Sequence, residues 1–197
     1  MTPLETENLI LRNWKDSDQA LFHEINHDDA VMRYFPFRRD EQQSAELLER
    51  LKHHIDRNGY GFCAIELKST GECAGFCGIE NTEIENVFPK GTIEIGWRLS
   101  RHYWGHGIAT EAGRAWLEFG FENKDFREIV SFAVHNNDRS TAVMKRLGLK
   151  IRPEREFLHP AVPDTHPHLQ RHVVYTITAD EWSAHKKRAV SPPPHNS

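Results

Sequence analysis

Between residues 92 and 134 a strand, a glycine-bearing turn, a helix and a second strand follow one another almost without spacers. In 92–99, Ile93, Ile95, Trp97 and Leu99 alternate with Thr92, Glu94, Gly96 and Arg98. That is the period of a strand with one apolar and one polar face. Ile108, Ala112, Ala115 and Phe119, spaced by four, three and four, predict a helix over about 107–123. Residues 129–134 are apolar on both faces, as in a central strand. Strand, crossover helix and strand make a βαβ unit, whose crossover, right-handed in nearly all cases, makes the two strands parallel.

The flanking segments add antiparallel neighbours. Leu9, Leu11 and Trp14 begin a first strand, and Asp16-Ser17-Asp18 offers N-cap chemistry for a helix to about Asn26. A second helix over 41–57 repeats Leu47/Leu48, Leu51 and Ile55 and ends before Asn58-Gly59. Runs 61–67 and 73–80, joined through Gly71, read as a hairpin, with a polar loop expected around Pro89-Lys90-Gly91. A helix from about Ser140 stops at Leu147-Gly148, and late strands are expected near 149–157 and 172–177. Thr178-Ala179-Asp180-Glu181 has capping-box spacing for a short helix through Trp182. The expected organisation is one α/β domain, residues 1–186, with a mixed sheet, followed by a disordered tail, 187–197, that contains three consecutive prolines.

Composition narrows the partners. A net charge of -4, with both signs interspersed, provides no basic stripe for a nucleic-acid backbone. No apolar run approaches the roughly 18 residues of a membrane span, and the polar start, 1–8, lacks a cationic segment before an apolar one, so a cytoplasmic protein is expected. Cys63, Cys73 and Cys77 are odd in number and lie in apolar segments, which reads as reduced core residues. The 13 histidines show no HExxH or finger spacing, so no metal is expected.

Chemistry concentrates where strand 92–99 hands over to the helix, through Trp104-Gly105-His106-Gly107-Ile108-Ala109-Thr110. A helix start carries unpaired N–H groups and partial positive charge, and residues without bulky side chains let a phosphate approach them. The stretch lacks the Lys-Ser/Thr of a P-loop, and Thr110 stands where a dinucleotide fingerprint needs its third glycine. Glu94-Ile95-Gly96-Trp97, the run Tyr103-Trp104-Gly105-His106-Gly107-Ile108-Ala109-Thr110-Glu111-Ala112, and then Asn137-Asp138-Arg139-Ser140 with Arg146-Leu147-Gly148 resemble the GCN5-related N-acetyltransferases. The subgroup they resemble contains the RimJ and RimL ribosomal-protein N-terminal acetyltransferases.

The resemblance spans about 6–182 and implies a mostly antiparallel sheet of about seven strands, helices on both faces, and a splayed parallel pair at the acetyl-coenzyme A site. It implies that the backbone N–H groups of Gly105, His106, Gly107, Ile108, Ala109 and Thr110 hold the coenzyme diphosphate, with no polar role for Trp104. It gives the thioester oxygen to a backbone N–H at Trp97 or Leu99, the pantetheine arm to Asn137, and the departing sulfur to the Ser140 hydroxyl. Asn and Ser at a helix start also serve as N-caps, so both roles stand for Asn137 and Ser140.

Glu94, on the polar strand face, reads equally as a general base of raised pKa and as a structural partner of a neighbouring strand. His135 is a weaker candidate, and Glu111 reads as a stabiliser of the cradle helix. The resemblance also implies that the acceptor enters beside the loop 34–39, with Phe35 and Phe37 at its mouth, and core packing is the competing role of at least one. The expected partners are acetyl-coenzyme A and a primary amine, either a protein N-terminus or a small molecule, on a monomer or homodimer. A non-catalytic acyl-coenzyme A sensor is the reading from a different class.

Overall fold

Alternating apolar residues lay down a nine-stranded sheet in the computed structural model, which describes residues 1–190. The strands are β1 (Leu4–Glu5), β2 (Leu9–Arg12), β3 (Phe62–Leu67), β4 (Cys73–Ile84), β5 (Phe88–Leu99), β6 (Glu128–Val134), β7 (Lys150–Ile151), β8 (Phe157–Leu158) and β9 (Arg171–Thr178). The helices are α1 (Gln19–His27), α2 (Glu41–Asn58), α3 (Ile108–Glu122), α4 (Asp138–Arg146), the single turn α5 (Pro167–Gln170) and α6 (Ala179–Val190). Spatial order is β1-β2-β3-β4-β5-β6-β9-β7, with β8 also on β9. Every pairing is antiparallel except β5 with β6, the pair that the βαβ pattern predicts.

Helices cover both faces. On one, Phe22 of α1 packs edge-on against Trp14 at 4.9 Å and lies 6.1 Å from Phe76 of β4. On the same side, α2 brings His54 Nδ1 to 3.4 Å from Glu80 of β4. On the other, α3 lies against β4 and β5. Gly120 lets α3 approach β6 as well, since a Cβ there would stand 2.8 Å from Ile129 Cδ1. The core between these layers is continuous from Leu9 to Trp182.

Several boundaries differ from the sequence reading. The loop expected around Pro89-Lys90-Gly91 is strand, because the β4–β5 hairpin turns earlier, where Asn86 takes φ 61° and Val87 N–H donates to Ile84 O at 2.9 Å. The late strand near 149–157 splits into β7 and β8 around a 3-10 turn at Pro153, which has no N–H for a ladder. Of the nine strands, against about seven expected, three are two-residue pieces: β1, β7 and β8. Asp18 does not cap α1; its carboxylate takes two hydrogen bonds from Arg12, at 2.7 and 3.1 Å, and one from Lys15 N–H. The capping box of Thr178 and Glu181 is present, and α6 continues past Trp182 to Val190. Of the segment expected as a tail, 187–190 belong to α6, and 191–197 lie outside the described residues. No helix of the described residues is long and apolar enough to cross a membrane.

Candidate active site

The site begins with a break in the sheet. Ser100 N–H donates to Ala74 O at 3.1 Å, and this fixes the phase of the β4–β5 ladder. Gly96 and Arg98 turn their backbone groups toward β4, while Ile95, Trp97 and Leu99 turn theirs toward β6. Yet β5 and β6 share a single register pair, Glu94 with Val130. Beyond it the strands diverge, so the N–H groups of Trp97 and Leu99 face a gap instead of a ladder partner. The Leu99 carbonyl in that gap accepts from Trp104 Nε1 at 3.0 Å. The sequence reading gave Trp104 no polar role; its indole N–H in fact ties the glycine loop to the end of the splayed strand. The guanidinium of Arg139 lies over the same ring at 4.1 Å.

The loop after β5 delivers the backbone donors. Gly105 and Gly107 both adopt the left-handed conformation, φ 86° and 79°, which residues with a Cβ rarely take. A Cβ at either position would have no atom within 4 Å, so the loop presents bare backbone to open space. Among the described residues, the N–H groups of Gly105, His106, Gly107, Ile108 and Ala109 have no hydrogen-bond partner. Thr110 N–H already donates to Gly107 O at 3.0 Å. Five free donors at the start of a fifteen-residue helix fit a diphosphate.

Glu94 occupies the sheet face beneath α2. It stands opposite Glu80 in the ladder, and burial pushes its carboxyl up to about 7 against the opposing hydrogen bond from Thr82; the Glu80 charge adds to the rise. Glu80 is also raised by burial and is held back by His54. The sequence reading missed Glu80, His54 and Thr82. A ladder register would have placed Glu80 and Thr82, whereas His54 reaches the pair only through packing of α2. His135 is exposed, with its backbone N–H on Arg171 O. Glu111 accepts from Thr6 Oγ1 at 2.5 Å and from Asn8 N at 2.9 Å, so it fastens the β1–β2 turn to α3.

At the start of α4, Asn137 is the N-cap, and its Oδ1 accepts from Ser140 N–H at 3.2 Å. Ser140 is therefore the capped residue and not a cap, and its hydroxyl has no partner among the described residues. Phe35 and Phe37 are 36% and 45% exposed, so neither is a core residue. Tyr34 in the same loop donates from its hydroxyl to Asn136 O at 3.0 Å and straps that loop to the β6–α4 connection.

One groove of about 2190 Å³ takes in Glu94, Trp97, Leu99, Gly105, Gly107–Thr110, Asn137, Ser140, Phe35 and Phe37. His106 is not part of its lining. His159 and His172 also line it, with rings 4.9 Å apart, and burial pushes His172 down to about 4. Among the described residues no three His, Cys, Asp or Glu side chains are grouped as metal ligands would be.

A phosphate-sized cradle at a helix start, opening beside an interrupted parallel pair, is the architecture of an acetyl-coenzyme A-dependent acyltransferase. The chain belongs to the acetyltransferase (GNAT) domain family, which it matches over residues 8–150. It is 34% identical to the uncharacterized protein YkkB of Bacillus subtilis, over 75% of this chain and 85% of that one. It is 26% identical to the spermidine N(1)-acetyltransferase of Escherichia coli, over 76% of this chain and 75% of the relative. The ribosomal-protein-S5-alanine acetyltransferase of Vibrio fischeri shares the fold, with a TM-score of 0.69 at 17% identity over 92% and 99% of the two chains.

The Glu94 environment has a consequence for stability. A glutamate in an unfolded chain ionises near about 4.3. The unfolded state therefore binds fewer protons than the native one from there up to the value of about 7 in the fold, and stability falls as pH rises through that window. Glu94→Gln removes the penalty. Thermal unfolding of the two proteins is expected to match most closely near about pH 4 and to favour the variant increasingly toward about pH 7.5. A difference that does not change with pH would show that Glu94 ionises normally in the fold.

Proposed function

We propose that the enzyme transfers the acetyl group of acetyl-coenzyme A to a primary amine by direct attack, with Glu94 accepting the amine proton. The observation that carries the reading is the position of Glu94, at the one register pair that joins β5 to β6, immediately before the break. When bound, acetyl-coenzyme A supplies an activated thioester. The N–H groups of Gly105, His106, Gly107, Ile108 and Ala109 hold its diphosphate. The side-chain amide N–H of Asn137, whose oxygen is engaged in the cap, is left for the pantetheine arm. Trp97 or Leu99 N–H donates to the carbonyl oxygen as negative charge develops there, a role served best by a fixed backbone dipole. The Ser140 hydroxyl donates to the sulfur as it leaves.

A base with pKa about 7 suits an amine of modest basicity. An α-amino group, pKa about 8, lies roughly one unit above it, whereas a lysine ammonium, about 10.4, lies more than three above. This supports an acceptor of the N-terminal or amino-acid type within a RimJ/RimL-like enzyme. The spermidine enzyme among the relatives supports the alternative of a small amine. Phe35 and Phe37 stand at the acceptor mouth in either case. A cytoplasmic setting suits the three free cysteines, Cys63, Cys73 and Cys77.

Thiol release over a panel of peptides and small amines tests the activity; coenzyme A binding with no acetylated product would favour the sensor reading. Acetyl-coenzyme A, but not NAD, is expected to raise the melting temperature, by the equivalent of about 2.7 kcal/mol at a hundredfold excess over Kd. Gly107→Val places a branched side chain between backbone and diphosphate, and unchanged affinity in that variant would refute the cradle. Ser140→Ala should lower kcat by about a hundredfold or more while acetyl-coenzyme A affinity holds. Because Asn137 is the cap, folding stability should change by only about 0.5 kcal/mol. A kcat that survives the substitution would remove Ser140 from the chemistry.

A further inference from the structure

The acceptor half of the groove has two electrical ends. On the floor, Glu80 and Glu94 face each other across β4 and β5. Four residues along β5, roughly 13 Å at strand spacing, Arg98 projects from the same sheet face. Its guanidinium lies 4.3 Å from the Phe35 ring and 5.3 Å from the Phe76 ring, and donates to Asn26 Oδ1 at 2.6 Å. Asn26 is fully buried and is itself bonded to Phe22 O, so Arg98 is aimed and not free to swing.

No carboxylate pairs with Arg98 among the described residues, nor with Arg39 or Arg50, whereas Arg12, Arg38, Arg101, Arg152, Arg155 and Arg171 each have an acidic partner. Arg39 lies over Phe37 at 4.8 Å, and its Nε is buried without a hydrogen-bond partner. Arg50, on α2, lines the groove with Arg98. Burial and mutual repulsion push Arg98 down to about 10, which leaves it charged at neutral pH. Arg98 and Arg39 are desolvated cations without counter-ions, a costly state that an anion entering the groove beside the exposed Arg50 would relieve. A purely structural role for Arg98 would be served as well by an internal carboxylate, and none is supplied.

Resting on the amine-acetylation reading, we propose that the acceptor carries, several bonds from its amine, an oxyanion bound by Arg98 and Arg50 with Arg39 behind them. The substrate is then an anionic amine, with its ammonium at Glu94 and its carboxylate or phosphate beneath Phe35. Glycine at position 96 keeps the floor between the two ends low, since a Cβ there would stand 3.1 Å from Phe62 and 3.6 Å from Glu94 Oε1. A polyamine, cationic throughout, places like charge against Arg98.

Matched pairs test this: γ-aminobutyrate against butylamine, phosphoethanolamine against ethanolamine, and spermidine as the polycation. At least one anionic member should exceed its neutral counterpart in kcat/KM by about tenfold or more, mainly through KM, and the pair that does so tells carboxylate from phosphate. Arg50→Gln and Arg98→Gln should bring that ratio toward one, with Arg98→Lys retaining part of it. Equal kcat/KM within both pairs, or a preference for spermidine, would overturn the proposal. Calorimetry with glutarate and inorganic phosphate on protein saturated with coenzyme A supplies the second readout, because the cradle is then filled. Saturable binding that Arg50→Gln weakens, with no amine turned over, would leave the anion site standing and fail the transfer reading. Neutral amines turned over with neither anion bound would do the reverse.

Discussion

A β-sheet with one open seam underlies every functional feature of this chain. Backbone groups inside a protein must be paired, and β6 meets its other neighbour, β9, in unbroken register from Glu128 to Val134. Toward β5 the same strand makes one pair and then leaves. The seam is tolerated because its polar groups face a groove instead of a packed core, and because Leu99 O is satisfied by the Trp104 indole. That single hydrogen bond joins the end of the seam to the glycine loop, so the two sets of backbone donors, proposed for a diphosphate and for an acyl oxygen, are held by the same short stretch of chain.

The side chains follow from where the seam lies. Glu94 marks its closed end, and the strand face that carries Glu94 also carries Gly96 and Arg98 beneath α1 and α2. Burial acts on the two charged residues in opposite senses: it raises the carboxyl of Glu94 toward neutrality and lowers the guanidinium of Arg98, each toward its uncharged form. The outcomes differ because the starting values differ. Glu94 reaches the range where a proton can be exchanged, while Arg98 stays a cation without a counter-ion among the described residues. In the proposed reaction a proton acceptor and an anion receptor share one strand, separated by a glycine that leaves room for a substrate.

Much of this was legible in the sequence. The alternation in 92–99, the helix period after Gly107 and the doubly apolar run 129–134 predict the βαβ unit, and backbone-directed features such as the glycine cradle depend on residues that carry their own conformational signature. What depended on register was not legible. Pro89 and Gly91 look like a loop, but the turn is made by Asn86, and only the true turn puts Glu80 opposite Glu94. Period-two alternation assigns Arg98 a face without revealing that Asn26 and Phe35 will meet it there, since those contacts join segments more than 60 residues apart. The capping roles of Asn137 and Ser140 were separable only by geometry, since both residue types cap and they lie within one turn of each other.

The β5 backbone beyond Ile95 is unpaired on the β6 side, and in the proposed reaction the coenzyme completes it. Residue-resolved amide hydrogen exchange, with and without acetyl-coenzyme A, tests it most directly. In the free protein the Trp97 and Leu99 amides are expected to exchange much faster than those of Gly96 and Arg98, which the β4 ladder holds. Acetyl-coenzyme A should then slow the amides of 105–109 together with Trp97 or Leu99. Uniform protection from 95 to 99 in the free protein, or protection of the glycine loop alone upon binding, would contradict it.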